Sequence, residues 1–147
     1  MIKLLVGGFG FNPNARTRYG WTPLTAAAFR GWNDAVRLLL DHGADPNAKD
    51  GSGRTALIRV MDEFVNRYRL LNDLMNIPGQ QVTWLAEEER RLNDYIQVMH
   101  TLLERGTNPH VSDNSGRTAL DLAYQSGLPA IFDLVRQYPK YRTSANR

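Results

Sequence analysis

The chain has 147 residues, 42% of them hydrophobic and 22% charged, with a formal net charge of +3 and no cysteine. That length suits one domain able to bury most of its apolar surface, and the composition excludes a disordered tail, a collagen-like fibre and a coiled-coil rod. No apolar run approaches the roughly 18 residues that span a bilayer, and the lack of cysteine excludes disulfides, zinc–thiolate sites and thiol nucleophiles.

Met1-Ile2-Lys3-Leu4-Leu5-Val6 is too short and too soon followed by Gly and Asn to make a signal peptide, so the chain reads as cytoplasmic, and as periplasmic only if a leader has been removed. Gly10-Phe11-Asn12-Pro13-Asn14-Ala15 is the first of several segments that recur downstream. Gly20-Trp21-Thr22-Pro23-Leu24 returns as Gly53-Arg54-Thr55-Ala56-Leu57, 33 residues on, and again as Gly116-Arg117-Thr118-Ala119-Leu120, a further 63 residues on. In phase with it, Leu39-Leu40-Asp41-His42-Gly43-Ala44-Asp45-Pro46-Asn47 matches Leu102-Leu103-Glu104-Arg105-Gly106-Thr107-Asn108-Pro109-His110. Two elements keeping one phase over three copies identify a repeat protein.

Each copy encodes a helix–turn–helix. Thr22, Thr55 and Thr118 supply N-cap oxygens, Pro23 suits a first helical turn, and Ala26, Ala27 and Ala28 allow close helix approach. Gly31 and Gly127, each nine residues after its threonine, can close a first helix in the left-handed conformation, and Gly43 and Gly106 a second one. In the middle copy the residue nine after Thr55 is Phe64, so the stop is missing. Leu57, Val60, Met61, Phe64, Tyr68, Leu71, Leu74 and Met75 continue as a helical stripe. Ile77-Pro78-Gly79-Gln80 then makes a turn, and Thr83 caps a helix with Glu87, Glu88 and Glu89 near its positive end. That helix carries Leu85, Leu92, Tyr95, Ile96, Met99, Leu102 and Leu103 inward. The extra residues lengthen both helices by about 20 Å each, giving a hairpin that projects away from the β-turns.

These residues resemble the ankyrin repeat, a 33-residue unit with a β-turn followed by two antiparallel helices. Thr22-Pro23-Leu24-Thr25-Ala26-Ala27-Ala28 stands where that family usually has TPLHxAA, with Thr25, Ile58 and Asp121 replacing its histidine. The resemblance implies an all-α fold, a solenoid of stacked helix-turn-helix units with short β-turn fingers. On this reading 1–147 is one domain: a partial repeat at 1–16, repeats at 17–49 and 50–112, a terminal repeat at 113–139 and a polar tail at 140–147. The middle repeat carries the insertion at roughly 64–93. Gly7-Gly8-Phe9-Gly10 is then the loose end of a truncated unit and not a phosphate loop, since no strand precedes it and no GK[ST] follows.

Enzyme chemistry finds little footing. His42, His100 and His110 lie in no metal-ligand spacing, and His42, beside a helix-ending glycine, suits a cap. The run Glu87-Glu88-Glu89 reads as helix N-terminal charge rather than paired catalytic acids. No catalytic residue, metal site or cofactor is expected. Binding has better grounds. The turn tips and exposed side of the first helices form a concave wall in a fold of this kind, and residues there that the repeat leaves free are candidates for a partner. In the first repeat these are Arg18, Tyr19, Trp21, Phe29, Arg30 and Trp32. In the second they are Ser52, Arg54, Asp62 and Glu63; in the third, Asn114, Ser115, Arg117, Gln125 and Ser126. Trp, Tyr and Arg dominate binding hot spots, and Arg16, Lys49, Arg54 and Arg117 add positive potential along the tips. The competing reading makes Trp21 and Trp32 a cover for a poorly capped first repeat, and the arginines a solvated face.

Residues 1–54 hold seven basic and four acidic side chains, residues 55–104 five and eight, and residues 105–147 six and three. Basic tips flanked by aromatics fit a protein with an acidic surface patch. Few aromatics and almost no lysine on the wall argue against nucleic acid, and no segment suits a membrane. The resemblance implies protein–protein contact without cofactor or catalysis, with a monomer favoured. Its sharpest form is a small bacterial immunity protein that neutralises a cognate toxin other than a nuclease. The alternatives are a scaffold or secreted effector that recruits a host protein, and a fragment of a larger ankyrin protein.

Overall fold

Three threonines set where the first helix of each pair begins. In the computed structural model, which describes residues 10–79 and 85–138, Thr22, Thr55 and Thr118 are extended, and their hydroxyls accept hydrogen bonds from the backbone N–H of Thr25, Ile58 and Asp121. These caps open α1 (Pro23–Phe29), α3 (Ala56–Met75) and α5 (Ala119–Gln125). Each is followed by an antiparallel partner: α2 (Asn33–Asp41), α4 (Leu85–Glu104) and α6 (Pro129–Arg136). The described residues thus hold six helices and no strand. Gly31, Gly43, Gly106 and Gly127 close α1, α2, α4 and α5 with φ between +69° and +92°.

The residues that replace histidine in the TPLH motif keep its helix start polar or apolar according to their surroundings. The Thr25 hydroxyl lies 3.0 Å from that of Thr22 in a buried pair. Asp121 completes a capping box by accepting from the Thr118 N–H at 2.8 Å. Ile58 is instead part of the core.

Helices α1, α3 and α5 pack side by side, and α2 packs on α4 behind them. Ala27, Ala28 and Ala123 are buried at these contacts, where the absence of a larger side chain lets the helices approach. Leu57, Val60, Met61, Val98, Met99 and Leu102 fill the space between α3 and α4 with essentially no exposure. A second device joins successive units at their base. Asn14 accepts from the Asp45 N–H at 2.7 Å and donates to the Gly43 carbonyl at 3.1 Å. Asn47, 33 residues on, repeats this with the Asn108 N–H at 2.7 Å and the Gly106 carbonyl at 3.3 Å.

Helices α3 and α4 have 20 residues each, against seven to nine in the others. At 1.5 Å per residue each is about 30 Å long, so their distal ends extend past the seven-residue α1 and α5. Leu71 and Leu92 are buried there, and Tyr68 and Leu74 partly so. Met75, placed in the inward stripe by its spacing, is 57% exposed: at the end of a two-helix overhang only one face has a neighbour. The expected cap at Thr83 lies outside the described residues, as does Gln80 of the turn. Glu87 and Glu88 occupy the first turn of α4. His42 caps α2, its Nδ1 2.8 Å from the Leu38 carbonyl.

Candidate protein-interaction surface

The wall is built from three turns held open by one bracket. Asp50 Oδ1 accepts from the N–H groups of Ser52 and Arg54 at 2.8 and 3.1 Å. Asp113 Oδ1 does the same for Ser115 and Arg117, both at 2.9 Å. In the first turn the Thr17 hydroxyl takes this place, accepting from Tyr19 and Trp21 at 3.3 and 3.2 Å. Neighbouring tips are tied by backbone bonds, Gly51 N–H to the Tyr19 carbonyl at 2.9 Å and Asn114 N–H to the Ser52 carbonyl at 3.0 Å. The approach is close enough to require glycine. A Cβ on Gly53, at φ +72°, would fall 2.4 Å from the Asn114 Oδ1.

The bracket residue decides the electrostatics. Buried Asp50 binds Arg59 through Oδ2 at 2.6 Å. Asp113, whose side chain is 1% exposed, pairs with Arg117 at 3.0 Å and lies 3.6 Å from Arg54. Asp62, projecting from α3, receives Arg54 at 2.8 Å and Arg117 at 3.4 Å. Arg54 and Arg117 on the second and third turns and Arg59 on α3 thus face three carboxylates, so Arg54 and Arg117 do not supply the open positive potential expected of them. Burial works against the charged form of Asp113, but the N–H groups of Arg117 and Ser115 and the Arg117 guanidinium outweigh it and hold its carboxyl below the ordinary value.

The first turn carries Thr17 in place of the acid, and its cations are left open. Among the described residues Arg16, Arg18 and Arg30 have no carboxylate within 4 Å. Arg16 donates to the Lys49 carbonyl, and Lys49 Nζ to that of Ser112 at 3.3 Å. Arg18 lies over the Tyr19 ring, 4.6 Å from its centroid, and bonds its hydroxyl. Arg30 lies 5.9 Å from the Trp32 ring. Tyr19 is 62% and Trp32 56% exposed. Trp21 and Phe29 are half-buried and meet edge to face at 5.4 Å, with Arg59 5.0 Å over Trp21. Trp32 is therefore no cover for the first unit, while Trp21 serves packing and surface together.

The remaining candidates are spread more thinly. Ser52, Asn114 and Ser115 are exposed at the tips, their backbone and the Asn114 amide engaged in the turn bonds. Gln125 is exposed, and its carbonyl accepts from Arg69 at 3.2 Å. Glu63 pairs with Arg67 at 2.7 Å. Ser126, expected on the wall, is instead buried, its hydroxyl donating to the Ala123 carbonyl at 2.6 Å as part of the α5 cap. Sequence reasoning missed Asp50, Arg59 and Asp113. The signal was present in Asp50…Arg54 and Asp113…Arg117, an acid four residues before an arginine in phase with the repeat. Among the described residues no group of three or more His, Asp and Glu is placed to hold a metal ion, and no helix is long and apolar enough to cross a membrane.

A family model for ankyrin repeats, in three copies, matches residues 1–83. The chain is 31% identical to a potassium channel, AKT2/3, of Arabidopsis thaliana over 113 residues, covering 76% of this chain and 14% of that protein. It is 27% identical over 126 residues to the putative ankyrin repeat protein FPV222 of fowlpox virus, covering 80% and 16%. It is 32% identical over 120 residues to the mitochondrial disaggregase of Bos taurus, covering 78% and 18%. The chain spans less than a fifth of the length of each of these relatives.

Proposed function

The chain belongs to the ankyrin repeat family, typically a non-catalytic protein–protein interaction module, and from that premise we propose that it binds an acidic patch of another protein through the first-repeat end of its concave wall. The observation that carries this is the coincidence there of open cations with exposed rings: Arg18 on Tyr19 and Arg30 beside Trp32. Guanidinium groups reach carboxylates in bidentate fashion, and an exposed ring beside each adds a desolvating surface. The finer reading is an inhibitor, in its sharpest form an immunity protein that covers the active site of a cognate toxin. The wall and the long α3–α4 hairpin, two surfaces on one domain, support blocking a cleft.

The test is an affinity capture from the native cell with the chain and two variants. Arg18→Glu with Tyr19→Ala is expected to weaken the stoichiometric partner by about 30-fold or more, the loss of one hot spot of ~2 kcal/mol. Gln125→Ala, at the other end of the wall, should leave it unchanged. Equal loss from both variants, or from neither, overturns the placement. The inhibitor reading requires that the purified partner lose its activity at one equivalent of this chain. A partner that keeps its activity supports the scaffold reading instead, which the much greater length of the relatives favours.

A further inference from the structure

Where the α3–α4 hairpin rises past the α1–α2 turn, the two enclose an open crevice of about 400 Å3. One side is formed by Phe29, Arg30 and Trp32, the other by hairpin residues including Arg67, Arg90 and Tyr95. The join is tight at its base, where a Cβ on Gly31 would lie 3.2 Å from the Tyr95 ring. Ion pairs inside the hairpin consume most of the local charge. Arg67 binds Glu63 at 2.7 Å and Glu88 at 3.4 Å, and Arg91 lies 3.5 and 3.6 Å from Glu87 and Glu88. Among the described residues, Arg30 and Arg90 are left without a carboxylate. Asp94 pairs with no cation among the described residues, and it borders a second groove on the back of α2 as well.

We infer that this crevice receives an acidic side chain with an apolar neighbour from an extended segment of the partner protein, the carboxylate meeting Arg30 and Arg90 and the apolar group covering the Trp32 ring. A bidentate guanidinium–carboxylate contact suits the two open arginines. A cationic side chain would meet those same arginines, and Glu63, Glu87 and Asp94 on the same lining limit how much negative charge can enter, so the single charge of a carboxylate fits better than the double charge of a phosphate. The inference rests on the protein-binding reading above and extends it from the wall to the inserted hairpin, with Arg30 and Trp32 shared by both.

Blocked peptides test it on the full chain without the natural partner. Ac-Gly-Asp-Leu-Gly-NH2 titrated to millimolar concentration should shift the Trp32 indole N–H and the Gly31 amide in 1H–15N spectra, in a saturable way. Arg30→Glu with Arg90→Glu should weaken that binding at least tenfold while leaving resonances of the α5–α6 pair in place. Arg18→Glu with Tyr19→Ala should leave it intact, which separates failure here from failure of the wall. Equal shifts from the lysine counterpart of the peptide, tighter binding of its phosphoserine counterpart, or no shift at Trp32 and Gly31 overturns the proposal.

Discussion

Asp113 is the residue on which the third turn depends. It accepts two backbone N–H groups through one oxygen and an arginine through the other, and it does so buried. Its carboxyl is held below the ordinary 3.8 despite burial. A carboxyl whose folded value is depressed stabilises the fold above its ordinary value, and that contribution is lost as pH falls through the folded one. Asp113→Asn keeps an oxygen for the turn N–H groups and removes the charge. It should cost about 1.5–3 kcal/mol at neutral pH, the range for hydrogen bonds to a charged group. The gap to the unsubstituted chain should narrow as pH is lowered from 4 toward 2, since the unsubstituted chain alone is losing this contribution. Urea melts over that range measure it, and a gap independent of pH would mean that the carboxylate charge is not what the turn uses.

At the scale of the element, the same helix passes through two environments. Helix α3 packs on α1, α4 and α5, but α1 and α5 have only seven residues each, so the end of α3 beyond Arg69, which reaches the Gln125 carbonyl, has α4 as its main neighbour. Leu57 and Leu71 are both buried, at 0% and 8% exposure, yet the first lies in the first turn of α3, level with the short α1 and α5, and the second lies in its last turns. Leu→Ala changes span about 2–5 kcal/mol according to how far the surroundings collapse into the space left. Leu57→Ala should fall near the top of that range and Leu71→Ala near the bottom, read as shifts of the urea midpoint at constant m-value. Equal costs would show that the distal hairpin is as tightly enclosed as the stack.

This difference also marks what the sequence makes legible. Thr22, Thr55 and Thr118 announce the helix starts because a cap is a local bond within four residues, and the missing glycine at Phe64 announces the long hairpin for the same reason. The exposure of Met75 depends on whether a neighbour lies across the gap, and helical spacing carries no such information. At the wall, the aromatic and basic composition of the first turn was readable. Whether an arginine there is open or neutralised was not, because Asp62 reaches Arg54 from one helix and Arg117 from a residue 55 positions away.

Across the whole molecule these local terms combine as a stack in which each unit contacts its sequence neighbours, so stability is a sum of unit and interface contributions. The unit formed by α3 and α4 has described neighbours on both sides, whereas α5 packs on α3 and α6 packs chiefly on α5. Two ion pairs add to the apolar packing between the second and third units, Asp62 with Arg117 and Asp113 with Arg54. Opening of α5 and α6 should therefore precede global unfolding. In native-state hydrogen exchange, amides of α6 are expected to exchange at a lower free energy than those of Val60 to Phe64 in α3, by a margin that Asp113→Asn widens. The α3 amides should by contrast keep their separation from the unfolded state in that variant apart from the global loss. A single exchange free energy shared by α3 and α6, unchanged in its uniformity by the substitution, would make the stack one cooperative unit. The ion pairs between its turns would then carry no coupling of their own.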